Sequence, residues 1–174
     1  MFKVGILGSE NSHALAFAQL ANLPDPETGE YRYPDMRITA ICGCDDTPEH
    51  AAETARQGNI EKLVSDPMEL VGEVDAIMID YRDGKFHIRD VMPFIEKGLP
   101  VWIDKPITAS KEDRDTLRRA LEANGNLFTG GSSLPYNYEV STAKPAVKNQ
   151  AMGAVLGGSG NFPGDFESPY SGIF

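Results

Sequence analysis

Phe2-Lys3-Val4-Gly5-Ile6-Leu7-Gly8-Ser9-Glu10-Asn11-Ser12-His13, running on into Ala14, Leu15, Phe17, Ala18 and Leu20, is the stretch whose reading decides the fold. An apolar run closed by glycine predicts a strand over residues 2–8. Ser12 or Asn11 then caps a helix whose apolar residues recur at helical spacing. Strand, glycine turn and helix in this order form the opening unit of a nucleotide-binding α/β sheet, in which a helix N-terminus faces an anion.

The units that follow repeat the alternation. Residues 24–36, with three prolines and a Thr-Gly, read as an inserted loop. A second strand is expected from Arg37 to Cys44. Thr47 and Pro48 then start a helix that runs to about Gln57. A short strand at Lys62–Val64 and a helical turn at Pro67–Val71 lead into Val74-Asp75-Ala76-Ile77-Met78-Ile79-Asp80. The near-continuous hydrophobicity of that segment predicts a strand covered on both faces. A helix from Lys85 to Lys97, a strand from Leu99 to Asp104, a Ser110-capped helix to Asn124 and a strand from Leu127 to Gly130 complete the set. Right-handed crossovers then make a doubly wound parallel sheet the expected fold.

Composition limits what the chain does. A hydrophobic fraction of 41% and a charged fraction of 24% suit one soluble α/β core, and no apolar run approaches the ~18 residues needed to span a bilayer. A net charge of −10 argues against nucleic acid as a partner. The N-terminus lacks the regions of a secretory signal, and the two cysteines, Cys42 and Cys44, are read as buried thiols in a reducing, cytoplasmic setting. No nearby Cys or His completes a metal set around them, so no metal is expected.

The glycine turn departs from the G-x-G-x-x-G pattern, because Glu10 and His13 stand where its second and third glycines belong. Three readings are open. Main-chain N–H groups with Ser9, Asn11 and Ser12 hold a nucleotide while Glu10 points away. Alternatively, Asn11 or Ser12 only caps the helix, with Glu10 complementing its dipole. In the third, Glu10 and His13 face the cleft and meet a different ligand. Asp45, at the end of the second strand, is placed to accept hydrogen bonds from an adenosine ribose, which favours NAD over NADP.

Gly98-Leu99-Pro100-Val101-Trp102-Ile103-Asp104-Lys105-Pro106-Ile107-Thr108 ends at the carboxyl tip of the fifth strand, where open α/β sheets bind ligands. This segment resembles the Gfo/Idh/MocA family, whose members carry Glu-Lys-Pro after a Gly-x-x-Val strand. Asp75-Ala76-Ile77-Met78-Ile79 followed by His87 resembles the family's Asp-Ala-Val strand and the His opening its next helix. The resemblance spans about residues 2–135. It implies an NAD(P)-binding Rossmann domain and oxidoreductase chemistry at a hydroxyl or carbonyl carbon of a sugar- or polyol-like substrate. Lys105 is then the catalytic residue, donating a hydrogen bond to the reacting oxygen. The cofactor-binding candidates are Gly8, Ser9, Glu10, Asn11, Ser12, His13, Asp45, Asp104 and Pro106, and the substrate candidates are His87, Tyr136 and Asn137. His50 is assigned no role.

Family members are about twice this length. Residues 1–135 are therefore read as the dinucleotide-binding domain. Residues 136–174 are read as a linker helix, Glu139–Lys148, and the start of an incomplete C-terminal α/β domain, with Tyr170–Phe174 as a strand cut short. Such a fragment is expected to lack a complete active site, and the full-length protein to self-associate. The segment Gly130–Pro135 also lacks an Arg that many relatives place there. A non-catalytic ligand-binding or regulatory module that has lost dinucleotide affinity is the competing expectation, motivated by Glu10 and His13.

Overall fold

The computed structural model describes residues 1–43, 48–151 and 153–157. Six strands, β1 (Phe2–Leu7), β2 (Met36–Cys42), β3 (Lys62–Val64), β4 (Ala76–Ile79), β5 (Val101–Asp104) and β6 (Phe128–Gly131), form one parallel sheet in the order β3-β2-β1-β4-β5-β6. This is the Rossmann order, with the reversal between β1 and β4. Five helices accompany them among the described residues: α1 (Ser12–Asn22), α2 (Pro48–Gln57), α3 (Lys85–Glu96), α4 (Lys111–Asn124) and α5 (Tyr138–Lys148). None is long and apolar enough to cross a membrane.

The side chains of β1 alternate between two cores, as the period of a strand requires. Val4 and Ile6 point to one face and pack with Ile38 and Ile41 against Ala14, Ala18 and Ala21 of α1. Leu7 points to the other, where Ile77, Ile79, Val101 and Ile103 meet Val91, Phe94 and Ile95 of α3 and Leu117 of α4. Fully burying an isoleucine such as Ile6 or Ile79 contributes roughly 1.5–3 kcal/mol. The three buried alanines of α1 let that helix lie close to the sheet.

Asn22 closes α1 from inside the core. Its amide nitrogen donates to the carbonyls of Ile38 and Gly58, and its Oδ1 accepts from Ile38 N–H at 2.9 Å. Backbone groups near the start of β2 are thereby satisfied on the side where β3 pairs only from Ala40 onward.

Strand boundaries contract relative to the sequence expectation: β2 ends at Cys42 and β4 spans only Ala76–Ile79. The expectation that β4 is covered on both faces is corrected. Ile77 and Ile79 are buried, but Ala76 and Met78 are half-buried and line an apolar groove of about 630 Å³ with Phe17 and Trp102. Apolarity alone does not report whether a helix lies over a strand. Cys42 is buried. Cys44, Asp45, Asp46 and the proposed cap Thr47 lie outside the described residues, as does the cut strand at Tyr170–Phe174.

The chain divides into two compact units, Met1–Gly130 and Gly131 onward. Within the second, Pro135 starts a short 3-10 turn (Leu134–Tyr136) and Asn137 caps α5 by accepting from Glu139 N–H at 3.0 Å.

Candidate active site

The topology brings three strand tips together at the reversal point: the Gly8 turn after β1, Asp80-Tyr81-Arg82 after β4, and Asp104-Lys105-Pro106 at the end of β5. Gly8 adopts φ +97°, and a Cβ there would lie 2.8 Å from Tyr81 N and 2.9 Å from the Asp80 carbonyl carbon. Only glycine permits both the turn and the close approach of the β4 tip. The Gly8 N–H donates to Cys42 O at 2.9 Å, and Asp80 N–H donates to Leu7 O at 2.7 Å, so the turn is held between β2 and β4.

Asn11 is the N-cap of α1. Its Oδ1 accepts from His13 N–H at 2.7 Å while its amide nitrogen donates to the Asp80 carbonyl. One side chain thus satisfies the helix start and ties it to β4. Ser12 is exposed. Ser9 is buried, and its Oγ has no hydrogen-bond partner among the described residues.

Glu10 does not point away from the turn. Its carboxylate accepts from Ser9 N–H at 2.9 Å and from Arg82 N–H at 3.1 Å, and the Arg82 guanidinium donates back to the Glu10 carbonyl at 2.8 Å. An anion of the chain's own therefore occupies one main-chain donor of the turn, Ser9 N–H, and one past the tip of β4, Arg82 N–H, beside the helix start where the fingerprint places a phosphate.

His13 replaces the third glycine and reaches across to β5. Its Nδ1 lies 2.8 Å from Asp104 Oδ2, and its ring packs edge-on to Phe17, which in turn meets Trp102. Asp104 is 2% exposed and also stands 3.5 Å from the Lys105 ammonium, whose side chain is 32% exposed. Lys105 thus stands at the rim of the crevice with a buried carboxylate beside its ammonium. The Lys105–Pro106 peptide bond is cis, and Pro106 packs on Gly84 at the start of α3, where any Cβ would lie 2.7 Å from Pro106 Cγ.

Asp80, which carried no role in the sequence reading, completes the group. It is 0% exposed, and neither carboxylate oxygen has a hydrogen-bond partner among the described residues. Burial, reinforced by the charges of Asp104 and Glu10 and opposed by Lys105, pushes its carboxyl well above the usual carboxylate range. The signal available in the sequence was an acid closing an apolar strand at the point where the strand order reverses.

The expectation that His87 contacts the cleft is corrected. The ring is fully buried beneath the Lys105–Ile107 turn, with Nδ1 3.2 Å from Ile107 O and Nε2 3.1 Å from Tyr81 O. Its polar atoms are spent on backbone carbonyls, so it braces the two loops that border the crevice. Tyr136 and Asn137 belong to the second unit, Tyr136 as an exposed ring.

Residues 2–132 match a protein family described as an oxidoreductase family with an NAD-binding Rossmann fold. No curated protein sequence matches the chain. Among solved structures, scyllo-inositol dehydrogenase from Lactobacillus casei, with bound NAD(H) and scyllo-inositol, superposes with a TM-score of 0.67 at 19% identity, over 88% of this chain and 42% of that one. An oxidoreductase from Agrobacterium radiobacter, in complex with NAD+, L-tartaric acid and magnesium, gives 0.66 at 19% identity over 88% and 42%. An NAD binding oxidoreductase from Klebsiella pneumoniae gives 0.63 at 21% identity over 86% and 39%. At these identities the likeness establishes the fold, and the chain spans about two fifths of the length of those proteins. With the reversed strand order, the glycine turn and the Asp-Lys-Pro tip all in place over residues 2–132, the chain belongs to the Gfo/Idh/MocA family of oxidoreductases.

Proposed function

We propose that this protein works as an NAD(P)-dependent oxidoreductase on a hydroxyl or carbonyl carbon of a sugar- or polyol-like small molecule. The observation that carries the reading is the position of Lys105: a half-buried ammonium at the tip of β5, beside the crevice that the Gly8 turn borders, anchored by the buried Asp104 carboxylate. The inositol-bound dehydrogenase among the structural neighbours supports the substrate class.

The turn meets part of what a dinucleotide requires. Gly8 supplies the tight turn, and the capped start of α1 supplies the helix terminus. Gly8, Ser9, Asn11 and Ser12 would hold the pyrophosphate side, and Asp104 and Pro106 would border the nicotinamide side. The bound cofactor would supply the acceptor or donor of hydride. Lys105 donates a hydrogen bond to the substrate oxygen and holds its proton in reach. Asp104, itself paired with His13, fixes where that ammonium stands. Asp45 remains the proposed ribose contact that favours NAD, and Tyr136 and Asn137 remain proposed substrate contacts.

Glu10 sets the affinity. A dinucleotide phosphate has to displace its carboxylate from the N–H groups of Ser9 and Arg82. Glu10→Gly is therefore expected to tighten NADH binding about tenfold or more, the equivalent of one charge-assisted hydrogen-bonded anion removed from competition. Weaker binding in that variant would show Glu10 to be a direct ligand contact.

The same carboxylate favours a second reading, a ligand-binding or regulatory module without dinucleotide affinity. On that reading Glu10→Gly creates a binding site where the native chain has none. Titrating both chains with NADH separates the two.

A further inference from the structure

Three side chains that the sequence holds far apart meet in the crevice: His13 in the first turn of α1, Asp80 past the tip of β4, and Asp104 at the end of β5. One candidate donor atom from each lies within 4.8 Å of the other two. Asp80 and Asp104 are buried, and both Asp80 oxygens lack a partner among the described residues. A buried carboxylate without a partner requires a compensating charge or a proton, since its desolvation costs several kcal/mol.

We propose that His13, Asp80 and Asp104 bind a single first-row divalent cation, with Zn2+ held more tightly than Mn2+. One imidazole nitrogen and two carboxylate oxygens form a donor set suited to such ions, and the imidazole discriminates against Mg2+. The two carboxylates balance the charge of the cation. Water completes the coordination from the open side, where the side chain of His13 is 40% exposed.

His13 Nδ1 and Asp104 Oδ2 already approach to 2.8 Å. Bonds of about 2.0–2.2 Å to one ion set donors roughly 3–3.5 Å apart, so rotation of the half-exposed ring and of the Asp80 carboxylate closes the set. The ion takes the position between His13 Nδ1 and Asp104 Oδ2, with His13 ligating through Nδ1 as the neutral tautomer that carries its proton on Nε2. Lys105, 3.5 Å from Asp104 Oδ2, competes with the ion for that carboxylate and turns outward when the site fills.

The test needs no cofactor and no substrate, so its outcome is independent of the oxidoreductase reading. The chain is stripped with a chelator, dialysed, and titrated calorimetrically with ZnCl2, MnCl2 and MgCl2. About one Zn2+ per chain is expected, Mn2+ binding at least ~10-fold more weakly and Mg2+ not measurably. Asp80→Asn, which keeps the shape of the side chain, and His13→Ala, at a half-exposed ring, each lower Zn2+ affinity by ~10-fold or more. His50→Ala, on the exposed face of α2, leaves it unchanged. Failure to saturate with Zn2+ at millimolar concentration, or unchanged affinity in either site variant, would overturn the proposal.

Discussion

Lys105→Ala is expected to lower turnover by about 10²–10⁴-fold while leaving dinucleotide affinity within a small factor of native. The lysine stands at the rim of the crevice, so on the proposed function its removal takes a proton donor from the reacting oxygen and little from the cofactor's binding energy. Its anchor is the buried Asp104 and its own side chain is 32% exposed, so the fold is expected to survive the change. Lys105→Arg retains the charge but spreads it over a planar fork, and is expected to recover little of the rate. The assay is nicotinamide reduction across a panel of inositols and sugars. Turnover undiminished in Lys105→Ala would take the residue out of the chemistry.

Gly8→Ala is expected to produce a large loss of stability for a single added methyl. The added Cβ sits at φ +97°, which costs about 1–2 kcal/mol for an L side chain. It also meets the backbone of Tyr81 and Asp80 at 2.8 and 2.9 Å, and overpacking against atoms that cannot rotate away adds about 1–3 kcal/mol. At roughly 2–4 °C per kcal/mol for a chain of this size, thermal denaturation should show a fall of about 4–20 °C. Gly72→Ala separates the two terms. That residue also has positive φ, 86°, but nothing lies within 4 Å of its Cβ position. It should lose only the backbone part, and an equal loss in both variants would refute the close-approach argument.

Element order was legible because the central strands β1, β4 and β5 are apolar runs ending at glycine or aspartate, and α1 and α4 carry their own caps and spacing. Asn11, Ser110 and Gly125 cap as their residue types predict. Adjacent strand tips at the reversal point were legible too, since parallel crossovers fix which ends share an edge. The pairs that make the site were not. His13 with Asp104, Glu10 with Arg82 and Asn11 with Asp80 join residues 69 to 91 positions apart, and a local pattern holds no record of which side chain turns toward which tip. Asp80 illustrates the same limit, because its letter is that of a solvated strand end while its surroundings are those of the core. His87 errs in the opposite direction. A histidine opening a helix after a ligand-binding strand suggests contact with the cleft, yet the Lys105–Ile107 turn closes over it.

The chain contains one tryptophan, Trp102, two residues before Asp104 on β5. Exciting it while NADH is titrated in reports most directly on whether a dinucleotide enters the crevice at the tips of β1, β4 and β5, because its emission overlaps nicotinamide absorption. Saturable energy transfer to the nicotinamide, tightened in Glu10→Gly, is the predicted result. No transfer at millimolar NADH in either the native chain or that variant would contradict it.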